Sequence, residues 1–411
     1  MITSLRRIGV GGALILIVWL ASFGVLLTKT VPVSGDGIYY FVQLESLTLD
    51  HDVDYANNLE RFRANPYVAK QLDSGVTTPT GRTPNLFSIG PALLWSPVYV
   101  VVHFLAPQAE LLAPSLATGL CVLVGLVCLY RALRRLGFID TVAGLAVTAT
   151  YLGTNLIYYS IFEASMAHGL GFALVSLLLL LALRSSKKLL GALVFGVIAG
   201  LAVDVRWQLL LAVVPLGVLA FFHLKTRNPR TWLAAAVGFA LGVLPQLLVW
   251  KALYGSFLVL PQGAGFIVPT SPHFGEVLWS ARHGLITWTP LVLLAVVGVV
   301  LAARTKNAAV RAVALVSIVI LFLQTYLNGS LIEWWGGDAF GARRFTDVTA
   351  VFAFGLAALF AATKPKWRAV LASLVALLVL ANLTLMQLYR HDRISRSLPV
   401  HVRAAVEALR H

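Results

Sequence analysis

The sequence contains little charge for its length. Only 12% of its 411 residues are charged and 59% are hydrophobic, with a mean hydropathy of +0.84. A soluble domain carries about 25% charged residues, so this chain has too few to cover a surface that faces water. A soluble enzyme, a disordered chain and a disulfide scaffold are therefore excluded. The composition indicates an all-α polytopic membrane protein.

Cysteine and the common catalytic motifs are also scarce or absent. The two cysteines, Cys121 and Cys128, lie in one apolar run on the same predicted helix face, where thiols usually act as small packing groups. They predict neither a disulfide nor a metal site. The sequence has no phosphate loop, no H-E-x-x-H zinc site, no G-x-S-x-G elbow and no CxxC pair.

Apolar runs and basic clusters together predict the topology. Short cytoplasmic loops collect Lys and Arg, so the basic clusters between the runs should share the cytoplasmic side with Arg6 and Arg7. This requires that run 86–106, which contains Pro91 and Pro97, lies at the outer leaflet as a juxtamembrane helix. About eleven spans remain: 8–28, 112–133, 141–159, 165–183, 189–205, 208–222, 231–250, 286–303, 310–328, 345–362 and 368–387.

This topology predicts one membrane domain over residues 1–387 and a short outer tail over 388–411 with an amphipathic stretch. The first outer loop, 29–111, is the longest and most polar. The first apolar run is too long for a signal-peptide core and should remain as an anchor. The Arg-, Ala-, Leu- and Val-rich composition favours a bacterial plasma membrane, with the N-terminus in the cytoplasm and the C-terminus outside.

The net charge of +15 follows from this arrangement. The predicted cytoplasmic loops hold many bases and a single acid, Asp140, so the excess positive charge is an insertion signal. Nucleic acid is therefore not a predicted partner, whereas membrane lipids are. Nearly all carboxylates lie on the predicted outer side, and any chemistry is expected there.

Acids in the first outer loop are the first candidates for chemistry. Asp36, in SGDGIYY, follows the first span between two glycines, where a carboxylate is well placed as a general base. Its alternative role is to cap the following helix. Asp52 and Asp54, in DHDVD, resemble an oxygen-rich divalent-metal site. The alternative for this pair is a solvated loop that caps a helix.

Three further residues carry charge or a titratable group at the outer ends of spans. Glu163, in a short predicted outer hairpin, is expected to face the same cavity as Asp36. His168, five residues later, is interpreted as a buried structural histidine. Arg206 interrupts an apolar stretch; it is a candidate to bind a lipid-linked phosphate, and the alternative is snorkelling to the headgroups.

Arg343 and Arg344, in WWGGDAFGARRF, are the strongest candidate anion site, because positive-inside statistics disfavour arginines on the outer side. Arg282 and His283 form a weaker candidate of the same kind. Either pair could instead contact outer-leaflet headgroups. Trp334 and Trp335 could stack on a sugar or belong to the interfacial aromatic belt. The predicted substrate-binding residues are therefore Arg343, Arg344, Arg206, Arg282, His283, Trp334 and Trp335.

The order of these features resembles the GT-C membrane glycosyltransferases, particularly the protein O-mannosyltransferases and the lipid A aminoarabinose transferase. In that family an acid follows the first span, a juxtamembrane helix comes next, and the second span ends in basic residues. The matching features here are Asp36, PNLFSIGPALLWSP (84–97) and LYRALRRLG (129–137). The family's further outer-loop acid would fall on Glu163, and a basic residue on Arg206.

The resemblance is strongest over residues 1–215. Beyond that it rests on topology and on RHG (282–284) and FGARRF (340–345). The sequence departs from the family at the first-loop motif, where two acids are often paired but Gly37 follows Asp36 here. Asp36 then acts alone, or Asp52 or Asp54 supplies its partner.

The resemblance implies an inverting glycosyltransferase that uses a polyprenyl-phosphate-linked sugar at the outer face of the membrane. Asp36 would deprotonate a hydroxyl of a glycan, lipid or protein acceptor, and Glu163 would be the second catalytic acid. Arg343 and Arg344, with Arg206, would hold the departing lipid phosphate. No cofactor is required, and a divalent metal ion at Asp52 and Asp54 is the candidate to be tested.

Two other functions fit the same composition. A transporter or flippase of a lipid-linked glycan would share a basic outer cavity and need no base, but it should show repeated halves and charges near the middle of the bilayer. The sequence has no evident internal repeat, and its acids lie outside. An assembly subunit without activity would tolerate replacement of Asp36 and of the arginine pair.

Overall fold

A computed structural model describes residues 9–28, 33–184, 189–224, 228–401 and 407–408. Every apolar run of the sequence contains a helix in this structure. In the part of the chain that is described, β pairing is confined to one isolated antiparallel bridge between Ile267 and Leu331. Arg6, Arg7 and most of the amphipathic stretch of the tail lie outside the described residues.

The helices follow one another along the chain with short connections. The first half contains α1 (Val10–Thr28), α2 (Asp36–Glu45), α3 (Ala56–Glu60), α4 (Pro66–Asp73), α5 (Gly90–Leu105), α6 (Ala113–Arg135), α7 (Asp140–Leu152), α8 (Leu156–Ile161) and α9 (His168–Ala182). The second half contains α10 (Leu189–Val205), α11 (Leu210–Leu224), α12 (Pro229–Tyr254), α13 (Phe274–Trp279), α14 (Leu285–Trp288), α15 (Leu291–Ala303), α16 (Ala308–Ser330), α17 (Thr349–Ala362) and α18 (Pro365–Arg390).

Six helical stretches among the described residues are long and apolar enough to cross a membrane: α1, Pro107–Arg135, α12, α16, Arg343–Ala362 and α18. The shorter apolar helices include α5, α9, α10 and α15. Large apolar side chains remain exposed on the surface of the protein, such as Phe322 (60% exposed), Leu377 (62%) and Leu380 (61%). A surface of this kind needs lipid as its solvent, and the chain is an integral membrane protein. Eleven spans remain a prediction.

Two of the predicted spans each contain a break between two helices, and buried polar residues lie at the break. Run 141–159 forms α7 and α8, separated at Gly153 and Asn155, and run 286–303 forms α14 and α15. The Asn382 side-chain amide donates hydrogen bonds to the carbonyls of Leu152 (2.9 Å) and Thr154 (3.2 Å). These bonds satisfy backbone groups that the break leaves without a helical partner. The single helices expected over both runs are therefore wrong in detail.

Glycines allow two of the helices to pack at backbone distance. A Cβ on Gly196 or Gly200 would overlap the backbone of α12, and a Cβ on Gly238 or Gly242 would overlap the backbone of α10. Small residues spaced four apart on both helices permit this close approach. Because α10 ends at Val205, this contact fixes the place where the chain reaches Arg206.

The first outer loop is held together by ion pairs between its short helices. Arg61 contacts Glu45 on α2 at 2.5 Å and Glu110 at 2.7 Å, and His103 Nδ1 lies 3.0 Å from Glu110 Oε2. Glu110 therefore sits between a histidine and an arginine. The loop packs as an ordered layer from which α2 presents its first residue, Asp36.

Candidate active site

A cavity of about 370 Å³ brings together residues that are far apart in the sequence. Its walls come from the start of α2, the segment before α5, the turn after α10 and the turn before α17. Asp36, Arg206, Arg343 and Arg344 all line it. Four of the residues singled out in the sequence therefore share one cavity.

Asp36 enters this cavity as the first residue of α2. The N-cap position is taken by Gly35, whose φ of 55° favours glycine, so capping is not the role of Asp36. Its Oδ2 lies 3.0 Å from Arg343 Nη1, and 27% of its side chain is exposed. The carboxylate is thus both ion-paired and accessible from the cavity.

The loop between α8 and α9 lies directly beside the start of α2. A Cβ on Gly37 would lie 2.5 Å from Ser165 Oγ, and one on Gly35 would lie 3.2 Å from Met166 Cε. Arg343 Nη1 also contacts Met166 Sδ at 3.3 Å. The glycines on both sides of Asp36 therefore allow this loop to approach the carboxylate and its arginine.

Glu163 belongs to the same loop but does not line the cavity. Its Oε1 accepts a hydrogen bond from the Tyr158 hydroxyl at 2.9 Å, while Oε2 is buried with no partner among the described residues. Burial raises the pKa of this carboxyl, with Tyr158 and Arg343 acting in the opposite direction and Asp36 in the same one. Glu163 therefore lies behind Arg343 and Asp36, close enough for their charges to act on it.

Arg344 differs from Arg343 in its partner. Its Nη1 donates to the backbone carbonyl of Glu333 at 2.6 Å, and the residue is 9% exposed. Over the described ranges, no carboxylate lies within ion-pair distance of Arg344. This guanidinium is consequently available to an anion that enters the cavity.

Arg206 lies where the chain changes direction after α10. Its backbone is extended, with φ −155° and ψ 116°, and a short 3₁₀ turn, Trp207–Leu209, follows. Its Nε lies 3.0 Å from Asp347 Oδ2, and its Nη2 donates to Gln208 Oε1 at 2.8 Å. Only 12% of the side chain is exposed, so Arg206 does not snorkel to the headgroups but points into the protein.

Arg282, His283 and the two tryptophans form a neighbouring cluster outside this cavity. His283 Nδ1 donates to the Trp335 carbonyl at 3.0 Å, and the Arg282 guanidinium stacks over the Trp335 ring at 4.0 Å. A separate space of about 10 Å³ lies between His283, Trp334 and the Arg343–Arg344 turn, which is room for about one water molecule. The cluster and the two arginines therefore line this small space together.

Asp52 and Asp54 take part in hydrogen bonds within their own loop. Asp52 Oδ1 accepts hydrogen bonds from the Ser46 hydroxyl (2.7 Å) and the Asp54 amide (3.1 Å), and Asp54 Oδ1 lies 3.4 Å from the Ala56 amide. Across the described residues, no group of three or more His, Cys, Asp or Glu side chains is arranged to hold a metal ion. The carboxylates act here as hydrogen-bond acceptors for their own loop.

Asp347 is a charged residue of this region that the sequence analysis did not single out. It belongs to the 3₁₀ turn Arg343–Val348 and contacts both Arg206 and His168. The signal was present in the sequence, because Asp347 is an acid within a predicted span, where charges are costly unless paired. Tyr40, Gln208, Gln262 and Glu333 also line the cavity and were not predicted.

Comparison with known proteins gives the class of fold. No protein-family model and no curated protein matches the sequence. The structure of ArnT from Cupriavidus metallidurans in the apo state is similar, with a TM-score of 0.54, 14% identity, and coverage of 97% of this chain and 73% of ArnT. The archaeal oligosaccharyltransferase AglB from Archaeoglobus fulgidus is similar with a TM-score of 0.52 and 12% identity, over 97% of this chain and 57% of AglB.

Both neighbours are GT-C glycosyltransferases, and ArnT is the lipid A aminoarabinose transferase. At these identities the likeness establishes the fold. The resemblance to the GT-C fold expected from Asp36, the juxtamembrane helix and the basic end of the second span is confirmed. The chain spans somewhat more than half the length of AglB.

Proposed function

We propose that this protein is an inverting glycosyltransferase that moves a sugar from a polyprenyl-phosphate-linked donor to an acceptor hydroxyl at the outer face of the plasma membrane. The observation that carries the proposal is the meeting of Asp36 with Arg206, Arg343 and Arg344 in one cavity of about 370 Å³. The GT-C fold supports it. Arg206 follows the apolar helix α10, and Arg343 and Arg344 precede the apolar helix α17, which suits a donor carried by a lipid.

Asp36 is the general base of the proposed reaction. The acceptor oxygen attacks the anomeric carbon and forms the new glycosidic bond, while its proton passes to the Asp36 carboxylate. The bond between the anomeric carbon and the phosphate oxygen breaks on the opposite side, and its electron pair remains on the polyprenyl phosphate. A base for such a step must be within hydrogen-bond reach of the acceptor hydroxyl, and the exposed part of Asp36 permits this.

The arginines stabilise the departing phosphate. Arg343 is paired with Asp36 and Arg206 with Asp347, whereas Arg344 contacts only the carbonyl of Glu333 among the partners within 3.5 Å that the structure shows for it. Arg344 is thus the first cation available to an incoming lipid phosphate. Guanidinium groups bind phosphate with paired hydrogen bonds and stabilise the charge that develops on it.

The neighbouring structures support a lipid-linked donor. AglB was solved with a dolichol-phosphate and an inhibitory peptide. In this chain, a site built from outward-facing carboxylates and arginines suits the same kind of headgroup. Sidedness follows from the predicted topology, and the acceptor is a glycan, lipid or protein hydroxyl.

The test is sugar transfer by the purified protein in lipid, with labelled polyprenyl-phosphate sugars and a lipid and glycan extract of the native host as the source of acceptors. Wild type is compared with Asp36→Asn, which keeps the side-chain size but removes the base. We expect Asp36→Asn to lower turnover by about 10²–10⁴-fold. Binding of the donor should not weaken, because Arg343 is released from its carboxylate partner.

Asp73→Asn is the matched control, since Asp73 is also an ion-paired aspartate of the first outer loop, 2.6 Å from Arg63, and does not line the cavity. It should retain full turnover. Equal turnover by Asp36→Asn and wild type would contradict the role of Asp36 and make Glu163 the next residue to change. Movement of labelled donor across vesicles without bond cleavage, unchanged in Asp36→Asn, would instead establish a flippase.

A further inference from the structure

Asp347 joins two segments that line the cavity. It lies on the same 3₁₀ turn as Arg343 and Arg344, and its Oδ2 is 3.0 Å from Nε of Arg206, which follows α10. Its other oxygen, Oδ1, accepts a hydrogen bond from His168 Nδ1 at the start of α9, at 3.2 Å. One carboxylate therefore connects α9, the turn after α10 and the turn before α17.

The surroundings of Asp347 are built to hold it in place. The side chains of His168 and Asp347 are 0% and 1% exposed. A Cβ on Gly171, one turn along α9 from His168, would lie 2.6 Å from Asp347 Oδ1. Glycine at this position leaves room for the carboxylate. A buried carboxylate that is charged needs such partners, because an unpaired charge away from water is costly.

The contacts of Arg206 define the orientation of its guanidinium. Asp347 Oδ2 forms an ion pair with Nε at 3.0 Å that lacks hydrogen-bond geometry, and Gln208 accepts a hydrogen bond from Nη2. Neither contact uses Nη1. An ion pair at Nε and a hydrogen bond at Nη2 restrict the orientation of a guanidinium that also lines the cavity. A long arginine side chain loses considerable rotamer freedom when it is ordered, so a ligand that meets an already ordered arginine binds more tightly.

We propose that Asp347, held by His168, is a positioning residue that orders Arg206 for the phosphate of the lipid-linked donor. This inference rests on the proposed function, because it assigns the anion that Arg206 meets. Asp347 itself touches neither donor nor acceptor. Its effect is on donor binding, through Arg206, and not on the proton transfer at Asp36.

The experiment is a double-mutant cycle on the binding of a labelled short-chain polyprenyl phosphate by the full-length protein in lipid. The variants are Arg206→Gln, Asp347→Asn and the combination of both. Arg206→Gln should weaken binding by about 10–100-fold, the range of a lost charge-assisted hydrogen-bond pair. Asp347→Asn should weaken binding of the polyprenyl phosphate by about 10-fold when Arg206 is present. It should have no further effect in the Arg206→Gln background.

In turnover assays, Asp347→Asn should raise the KM for the donor and also lower kcat, because Arg206 both binds the phosphate and stabilises it as it leaves. A general loss of folded protein would lower kcat and leave KM unchanged. His168→Gln keeps an N–H donor for Asp347 and should show a smaller weakening that also depends on Arg206. This second variant serves if Asp347→Asn does not fold. Additive losses in the cycle, or unchanged binding by Asp347→Asn and His168→Gln, would overturn the proposal.

The first outer loop supplies a matched control. Glu110 is likewise shared between a histidine and an arginine, His103 and Arg61, and none of the three lines the cavity. Glu110→Gln should leave binding of the polyprenyl phosphate unchanged, even if it lowers Tm. If wild type and Arg206→Gln bind the lipid phosphate equally, the positioning role fails while Asp36-dependent transfer still stands or falls by its own assay.

Discussion

At the residue scale, the buried carboxyl of Glu163 makes a pH-dependent contribution to stability. Burial raises its pKa above the ordinary value of 4.5, so the folded state holds the proton more tightly than the unfolded state does. The favourable contribution to the free energy of unfolding is therefore complete below pH 4.5 and is lost as the pH rises through the raised pKa.

Glu163→Gln tests this, because glutamine has nearly the same size and cannot ionise. Relative to wild type, the variant should become progressively more stable as the pH rises above 4.5 and through the raised pKa of Glu163. The measurement is Tm of both proteins across that range in the same detergent. Glu60→Gln, at an exposed glutamate paired with Arg63, should run parallel to wild type. Parallel curves for Glu163→Gln as well would show that its carboxyl is ionised throughout.

Single residues also show how much of the site can be predicted from the sequence. Asp36 was singled out as a carboxylate placed to act as a base, Arg206 as a charge within an apolar stretch, and Arg343 and Arg344 as arginines on the predicted outer side. The structure brings these four together. Their partners were not foreseen. The pairing of Arg206 with Asp347 joins residues 141 positions apart, and spacing along the chain gives no information on such a contact.

At the element scale, the packing of α10 on α12 depends on glycine. A Cβ on Gly238 would overlap the carbonyl of Leu193, whereas Gly217 on α11 has open space around it. Gly238→Ala should lower Tm by about 1–4 °C, from an overpacking cost of about 1–3 kcal/mol in a chain of this size. Gly217→Ala should leave Tm unchanged or raise it slightly, because alanine favours a helix. Equal Tm values for the two variants would contradict the close approach of these helices.

Hydropathy predicts which segments contain helices but not where those helices break. Each apolar run contains a helix, including the run with Pro97 that forms α5. The breaks between α7 and α8 and between α14 and α15 were missed, since the residues around them are themselves mostly apolar. Hydropathy measures the burial of side chains. The breaks are stabilised by hydrogen bonds from distant residues, such as Asn382 and the Thr289–Asn155 pair.

At the scale of the whole molecule, the cavity is useful to an extracellular reaction only if the first outer loop faces outwards. The fold fixes the positions of the helices relative to one another, and the sidedness rests on the basic loops. Between α4 and the loop that joins α15 to α16, the predicted topology has an odd number of crossings. Ser74 and Lys306, both exposed, are therefore expected on opposite sides, and exposed His401 on the side of Ser74.

Labelling of single cysteines in intact cells measures this directly. In a background where Cys121 and Cys128 are replaced by alanine, Ser74→Cys and His401→Cys should react with a membrane-impermeant maleimide, and Lys306→Cys should react only after permeabilisation. Both native cysteines lie within α6, Cys128 buried and Cys121 partly buried, and their replacement by alanine is a mild change. If only Lys306→Cys is labelled in intact cells, the protein has the opposite orientation and Asp36 lies on the cytoplasmic side. Labelling of Ser74→Cys and Lys306→Cys on the same side would require an even number of crossings between them, and one of the short apolar helices would then not span the membrane.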